Sequence, residues 1–287
     1  MLNGGKGTIA KLSEEATLEN FICRTCGVEH TESETPPTHC AICDDPRQYV
    51  GWEGQRWVTK EELKAEGYEN EVREEEPGLT GIGIIPSFTI GQRALLVQTP
   101  GGNVLYDCVS LLDDAAIDAV MSLGGIQAIC FSHPHFYDSM VTWSRAFNDA
   151  PIYIPEVDRE HVMRPDPSIH YWDGSSLELV PGVTLIQCGG HFLGSAVVHW
   201  AGGADGKGAL FVGDSITVVP DRRYVSFMRS YPNLIPLPES EIRGIVAAVE
   251  PYEFDRIYGG WWGRNVMTGA KESIRQSADR YISQIKD

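Results

Sequence analysis

Four residues that can bind a metal follow apolar segments in the middle of the chain: His133, His135, His191 and Asp214. The apolar segments that precede them are 126–131, 183–188 and 209–212. Such runs are typical of buried strands, and strand ends that meet at one edge of a sheet bring distant residues together. Three imidazoles and one carboxylate suit Zn²⁺, with Mn²⁺ or Fe²⁺ as alternatives. With one coordination position open, such a site generates hydroxide near neutral pH. The pattern predicts a metal-dependent hydrolase.

The local sequence supports convergence of these side chains. Alternation along an extended segment would place His133 and His135 on one face, with Pro134 stiffening the backbone between them. Two glycines allow the backbone to turn sharply just before His191. Other histidines of this region are more simply polar residues with ordinary hydrogen-bond partners: His161, His170 and His199.

The order of these segments resembles that of the metallo-β-lactamase fold superfamily, from about Gly81 to the C-terminus. The segment 103–107 resembles the early strand of that family, which ends in an aspartate behind the metal. The His-x-His motif, the Gly-Gly-His turn and the Gly-Asp-Ser segment follow in the family's order. The resemblance implies an α/β fold, an αββα sandwich. It also implies that Asp107 orients a ligand histidine and does not itself bind the metal.

Two positions depart from the family pattern. After its second histidine the family has x-Asp-His, and here Tyr137 and Asp138 occupy those two positions. No histidine follows His199, so the family's late histidine is missing, and Trp261 and Trp262 could form an apolar wall in its place. We therefore expect a mononuclear site in the sandwich.

Asp138 and Tyr137 each have two possible roles. Asp138 precedes the segment 139–149, whose apolar spacing predicts an amphipathic helix. It is therefore either the N-cap of that helix or a catalytic residue or weak ligand. Tyr137 either packs in the core or donates its hydroxyl to a substrate oxygen. In the catalytic hypothesis, Asp138 or Asp214 accepts the proton and Tyr137 helps to stabilise the oxyanion.

A second metal site is predicted near the N-terminus, where Cys23, Cys26, Cys40 and Cys43 form two Cys-x-x-Cys pairs. Four thiolates at this spacing suit a closed tetrahedral site that stabilises a segment too short to form its own core. The segment resembles a zinc ribbon, and its Cys26-Gly27 knuckle resembles that of rubredoxins, so either zinc or iron is compatible. The acidic composition, three scattered cysteines and the absence of a signal peptide predict a reducing, cytoplasmic compartment.

The 287 residues are divided by composition into three parts. We predict a zinc-ribbon module over 1–60, an acidic linker with a short helix over 61–80, and the metallo-β-lactamase-like domain over 81–287. The predicted helices of the main domain cover 110–123, 139–149, 240–250 and 268–286.

Two classes of partner are disfavoured, one by the formal net charge of −17 and the other by the shortness of the apolar segments. An acidic surface disfavours contacts with phosphate backbones, and no apolar segment approaches the length needed to span a membrane. We therefore expect a small-molecule substrate, and neither nucleic acid nor a membrane as partner. Esters, thioesters and lactones are the favoured substrates because their leaving groups need less protonation than an amine does.

Two other function classes remain open at this point. A rubredoxin-like iron centre could pass electrons to a metal in the sandwich, although the flavodoxin domain and carboxylate-rich diiron set of flavodiiron proteins are absent. The sandwich could also be a non-catalytic binding module that has lost family ligands. Visible colour from an iron–cysteine centre would indicate the first class, and metal-dependent turnover of aryl esters would argue against the second.

Overall fold

Two β-sheets and the helices that cover them form the main part of the protein, for which a computed structural model describes residues 17–286. Residues 1–16, which begin the predicted N-terminal module, and residue 287 lie outside the described residues.

The strands are β1 (Ile22–Cys23), β2 (Trp57–Val58), β3 (Glu69–Glu76), β4 (Leu79–Ile85), β5 (Ala94–Val97), β6 (Val104–Tyr106), β7 (Ala128–Cys130), β8 (Ile152–Pro155), β9 (Ile169–Trp172), β10 (Ser176–Val180), β11 (Val183–Gln187), β12 (Ala196–Trp200), β13 (Ala209–Val212), β14 (Thr217–Val218), β15 (Val225–Ser226), β16 (Met228–Ser230), β17 (Ile235–Pro236), β18 (Arg256–Gly259) and β19 (Asn265–Val266). The helices are α1 (Ala41–Asp44), α2 (Lys60–Ala65), α3 (Asp114–Ser122), α4 (Met140–Ala146), α5 (Gly203–Gly206), α6 (Glu239–Val249) and α7 (Ala270–Ile285), with 3₁₀ helices at Pro134–Phe136 and Glu156–His161.

The first large sheet has seven strands in the order β3 to β9, antiparallel as far as β6 and parallel beyond it. The second has six strands in the order β10-β11-β12-β13-β18-β19, with one parallel pair, β13 and β18. The other strands form three two-stranded sheets, of which β1 and β2 belong to the N-terminal module.

The inner faces of the two large sheets form the central core. Leu95 and Tyr106 of the first sheet belong to the same buried cluster as Phe211 of the second, and the Tyr106 and Phe211 ring centroids are 6.1 Å apart. On the outer face of the first sheet lie α3 and α4, whose Trp143 is fully buried. On the outer face of the second lie α6 and α7, with Ile274 in the core. The predicted αββα sandwich is confirmed.

The acidic segment predicted as the linker, 61–80, has a different structure. Its short helix is present as α2, but the following residues form β3, the edge strand of the seven-stranded sheet. Its carboxylates have cationic partners from other elements: Glu75 pairs with the buried Arg93, and Glu76 with Arg256. These long-range ion pairs explain how a highly charged segment forms a strand in place of a solvated linker.

The N-terminal module packs directly against the main domain. The backbone N–H of Glu29 donates to the Asp138 carbonyl at 3.1 Å, and that of Thr31 donates to the Met163 carbonyl at 3.2 Å. The Glu29 side chain is buried and forms an ion pair with Arg164. Removing this module would therefore expose buried charge on the main domain.

Within residues 17–286, no helix combines the length and the apolar character that crossing a membrane requires. All seven cysteines of the chain are free thiols.

Candidate metal centre

The loops that follow β7, β11 and β13 bring the four predicted main-domain ligands to one place. His133, His135, His191 and Asp214 each offer one ligand atom, and these four atoms all lie within 4.8 Å of one another. All four side chains are buried. The strand ends come from both large sheets, so the group lies at one end of the sandwich.

The two histidines of the His-x-His motif converge through a 3₁₀ turn. Strand β7 ends at Cys130, His133 is extended, and Pro134 begins the 3₁₀ helix. The fixed φ of proline favours this first helical position. The His133 and His135 ring centroids are 5.0 Å apart. The two side chains therefore do meet, but the extended backbone predicted across Pro134 is wrong.

The distances between the ligand atoms suit a tetrahedral ion. His133 Nε2 and His191 Nε2 lie 3.6 and 3.9 Å from Asp214 Oδ2, and His191 Nε2 lies 3.2 Å from His135 Nδ1. Tetrahedral Zn²⁺ with bonds of about 2.0–2.1 Å requires ligand atoms about 3.3–3.4 Å apart. Small movements of the side chains would therefore complete a zinc shell.

Hydrogen bonds hold the nitrogens of His133 and His191 that face away from this point. His191 Nδ1 lies 3.1 Å from the Met228 carbonyl, which can only accept, so this nitrogen carries the proton and Nε2 has a free lone pair. His133 Nδ1 lies 3.0 Å from Ser132 Oγ, and its Nε2 is buried with no hydrogen-bond partner among the described residues. A metal ion would satisfy that orphaned nitrogen, so the residues fit the ion.

Burial sets the charge states of the group. It lowers the pKa of His191 to about 4, and it lowers the pKa values of His133 and His135 well below the usual range, with a further contribution from the nearby His191. The three imidazoles are therefore neutral at pH 7, as metal binding requires. Burial also raises the pKa of Asp214 to about 7, against a hydrogen bond from Thr217. A cation here would restore the ionised carboxylate.

Asp107 lies behind the site and contacts it through Ser132. Its Oδ1 accepts the Ser132 backbone N–H at 2.7 Å, and the same serine contacts His133. Asp107 is not part of the convergent group, and its φ of +63° is left-handed. This placement is compatible with the predicted positioning role and not with direct ligation.

Asp138 also lies outside the group. Its carboxylate accepts hydrogen bonds from Ser110 Oγ at 2.5 Å and Gln92 Nε2 at 2.7 Å, and burial raises its pKa to about 7. The N-cap of α4 is Ser139, without a side-chain cap, so the predicted N-cap role of Asp138 is wrong. A Cβ on Gly27 of the N-terminal module would lie 2.3 Å from Asp138 Oδ1. Asp138 therefore helps to form the surface on which that module sits.

Tyr137 is part of the core beneath the first sheet. Its ring packs edge-on against Phe131, with centroids 5.1 Å apart, and it is not among the residues that line the cavity beside the metal group. Burial raises the pKa of its hydroxyl well above the usual range. The structure thus matches the packing alternative and does not bring Tyr137 to the site.

Trp261 and Trp262, which were predicted to stand in place of the missing late histidine, lie in the turn between β18 and β19. Trp261 lines the cavity, as predicted, but Trp262 lies across β4, so that a Cβ on Gly81 would be 2.7 Å from its ring. A Cβ on Gly260 would lie 2.9 Å from the Phe136 ring. This part of the turn therefore has no space for a further ligand side chain.

A cavity of about 630 Å³ opens beside the metal group. Its lining is mainly apolar, with few polar side chains, as is usual for small-molecule sites. The lining residues are Gln48, Ile90, His135, His191, Asp214, Thr217, Val218, Val219, Pro220, Ser226, Met228, Tyr231, Pro232, Trp261 and Arg264. Gln48 comes from the N-terminal module, so both parts of the chain form this cavity.

The segment that carries Gln48 is hydrogen-bonded to the main domain. Ser230 Oγ donates to the Arg47 carbonyl at 2.9 Å, and Asn233 Nδ2 donates to the Gln48 carbonyl at 3.1 Å. Arg47 donates to the His191 carbonyl at 3.3 Å, and its guanidinium lies 3.7 Å from the centre of the Phe192 ring. The local sequence around Arg47 and Gln48 contains no signal that this segment borders the metal group.

The four cysteines of the N-terminal module form a second convergent group. Their sulfur atoms lie within 4.8 Å of one another, with Cys23 to Cys43 at 3.5 Å and Cys26 to Cys40 at 3.6 Å. A tetrahedral Zn–S₄ shell with bonds of about 2.3 Å requires sulfurs about 3.8 Å apart. Hydrogen bonds with the thiols of Cys26 and Cys43 lower the pKa of Cys23 to about 7, and the bond with Cys26 has the larger effect. Gln55 Nε2 also donates to the Cys23 sulfur, so the thiolate of Cys23 is favoured, and the four convergent sulfurs fit a cation.

The comparisons with known proteins give one curated relative and several structural neighbours. No family model matches the chain. The uncharacterised protein YmaE of Bacillus subtilis (strain 168) is 50% identical over 263 residues, which cover 91% of this chain and 95% of YmaE.

Two solved structures show the fold. VMB-1, crystallised at pH 5.5, has a TM-score of 0.56 at 13% identity, over 76% of this chain and 99% of its own. The metallo-β-lactamase DIM-1, exposed to ceftazidime, has a TM-score of 0.54 at 12% identity, over 74% of this chain and 97% of its own. The main domain therefore has the metallo-β-lactamase fold.

Proposed function

The chain belongs to the family of the uncharacterised Bacillus subtilis protein YmaE and has the metallo-β-lactamase fold, and we propose that it is a metal-dependent hydrolase. The substrates we propose are small molecules with an ester, thioester or lactone carbonyl. The observation that supports this proposal is the convergence of three neutral imidazoles and a carboxylate beside a cavity of about 630 Å³.

The chain's own residues have separate roles in this proposal. His133, His135 and His191 would hold the ion, together with Asp214. When bound, zinc supplies a water of lowered pKa and polarises the substrate carbonyl. Asp214 is the one carboxylate among the described residues that line the cavity, so we assign to its Oδ1 the transfer of the proton to the leaving group. Asp138 and Tyr137 do not line the cavity, and we assign them no step.

We propose one Zn²⁺ in this site and one in the four-cysteine site. The described residues contain these two convergent groups of metal-ligating side chains and no third. Fe²⁺ or Mn²⁺ in the main domain, and iron in the ribbon, are compatible with the same ligand types. Three protein ligands are enough to hold a catalytic zinc, so the site would admit a water if Asp214 were displaced.

The proposal is tested by initial rates on 4-nitrophenyl acetate, phenyl thioacetate and γ-butyrolactone. We expect turnover of at least one substrate, its loss after treatment with a chelator, and its return when Zn²⁺ is added. Protein passed through the same chelation and buffer exchange, but without added metal, is the control. Turnover that is unaffected by chelation, or no turnover by metal-replete protein, would contradict the proposal and favour a binding module.

A further inference from the structure

The charge of the cavity contrasts with that of the chain. The chain carries a formal net charge of −17, yet Asp214 is the one acid among the described residues that line the cavity. Its three proposed histidine partners are neutral, so a bound Zn²⁺ would give the metal group a net charge of +1. Arg264 adds a further positive charge to the lining. The loaded cavity would therefore be a positive site in an acidic protein, which concentrates anions.

Arg264 is held in position by its backbone and not by a carboxylate. Its N–H donates to the Trp261 carbonyl at 3.1 Å, and its carbonyl accepts the Gly259 N–H at 2.9 Å, which closes the turn between β18 and β19. Among residues 17–286, its guanidinium has no salt bridge and no hydrogen-bond partner, whereas the buried Arg93 and the half-buried Arg164 are paired with acids. A half-buried guanidinium without a partner in a cavity is suited to a ligand oxyanion.

A second polar group of the lining lacks a partner. Gln48 is only 5% exposed, and its Oε1 has no hydrogen-bond partner among the described residues. Burying an unsatisfied amide costs free energy, which a ligand hydrogen bond would recover. The rest of the lining beyond the metal group is mostly apolar or hydroxyl-bearing, so Gln48 and Arg264 are the groups able to select a polar substrate.

We propose that Arg264 binds an oxyanion of the substrate, a carboxylate or a phosphate, and so makes the enzyme selective for anionic acyl compounds. This inference rests on the proposed function only for the acyl part of the substrate. The binding of the anion by Arg264 is independent of turnover.

Binding is measured by calorimetry on the zinc-replete protein with three anilides of one length. These are pentananilide, which is neutral, glutaric acid monoanilide, which carries a carboxylate, and 4-phosphonobutananilide. We expect at least one anionic anilide to bind about 10- to 100-fold more tightly than the neutral one, as a charge-assisted hydrogen bond would allow. The anionic anilide that binds more tightly shows whether the substrate oxyanion is a carboxylate or a phosphate. In Arg264→Gln the preference should disappear, with binding of pentananilide unchanged.

Arg222→Gln is the matched control, because Arg222 is exposed, has no ion pair among the described residues and does not line the cavity. It should keep the preference. Equal or undetectable binding of all three anilides by the wild type would overturn the proposal. A preference that survives in Arg264→Gln would also overturn it, because the anion would then bind at the metal.

Kinetics on 4-nitrophenyl pentanoate and 4-nitrophenyl hydrogen glutarate separate this inference from the hydrolase proposal. Selective binding of anionic anilides without turnover of either ester would retain the role of Arg264 and contradict the hydrolase. Turnover of both esters with the same ratio in wild type and Arg264→Gln would retain the hydrolase and overturn the role of Arg264.

Discussion

Replacing His135 by alanine is expected to remove the metal of the main domain and to lower the rate of ester hydrolysis about 10³-fold or more. The magnitude follows from losing several kcal/mol of charge stabilisation at the carbonyl together with the activated water. His135 Nδ1 lies 3.2 Å from His191 Nε2 in the convergent group, so its loss leaves an incomplete shell of two imidazoles and one carboxylate. The measurements are the metal content and kcat/KM of the purified variant.

His161→Ala is the matched control for this variant. His135 and His161 both pack edge-on against the Phe192 ring, with centroids 5.0 and 5.1 Å away, but His161 does not belong to the convergent group. It should keep both metals and most of the activity. A His135→Ala protein with unchanged circular dichroism and unchanged kcat/KM would rule out catalysis by a metal at this position.

Replacing Cys43 by serine is expected to release the ribbon metal, unfold the N-terminal module and reduce hydrolysis about 10²-fold. Metal binding and folding are coupled in such modules, and Cys43 directly precedes the segment that fastens onto the main domain. Loss of the Arg47 contact to the His191 carbonyl would loosen a metal ligand, and loss of Gln48 would open the cavity to water. Misplacement of about 1 Å at a reacting centre can cost about 10²-fold.

The control for Cys43→Ser is Cys188→Ser, which changes a thiol outside the four-cysteine group. A serine there can still donate to the Ser195 carbonyl, which lies 3.4 Å from the Cys188 sulfur. Cys188→Ser should keep both metals and the folded module. Cys43→Ser protein with its full metal content would refute the four-cysteine site. Loss of one metal with full activity would show that the cavity does not depend on the module.

The sequence was sufficient for the parts of the site that depend on local pattern. The apolar run before Asp214 coincides with β13, and the other ligands also follow strands within a few residues of the predicted positions. Strand ends and motif order are local signals, so they predicted which side chains converge. The αββα architecture came from the resemblance, because strand and helix periodicity alone indicated only a mixed α/β fold.

Features that depend on contacts between distant segments were not predictable in this way. Strand β3 has a composition typical of a solvated segment, and its Glu75 and Glu76 are stabilised by arginines more than a dozen residues away. Capping of α4 was one of the two roles left open for Asp138, but this residue takes a φ of +40° and hydrogen-bonds to side chains from two other loops. The role of Gln48 in the cavity depends on docking of the module, for which one sequence contains no local signal.

The most direct test of the account is the number of metal ions per chain. We expect two in metal-replete, gel-filtered protein, one held by the four cysteines and one by His133, His135, His191 and Asp214. Asp138→Ala should also hold two, because Asp138 lies outside both groups. Elemental analysis by inductively coupled plasma mass spectrometry, with protein quantified by amino-acid analysis, gives this number. Two ions in both proteins would support the mononuclear site, and three tightly held ions per wild-type chain would contradict it.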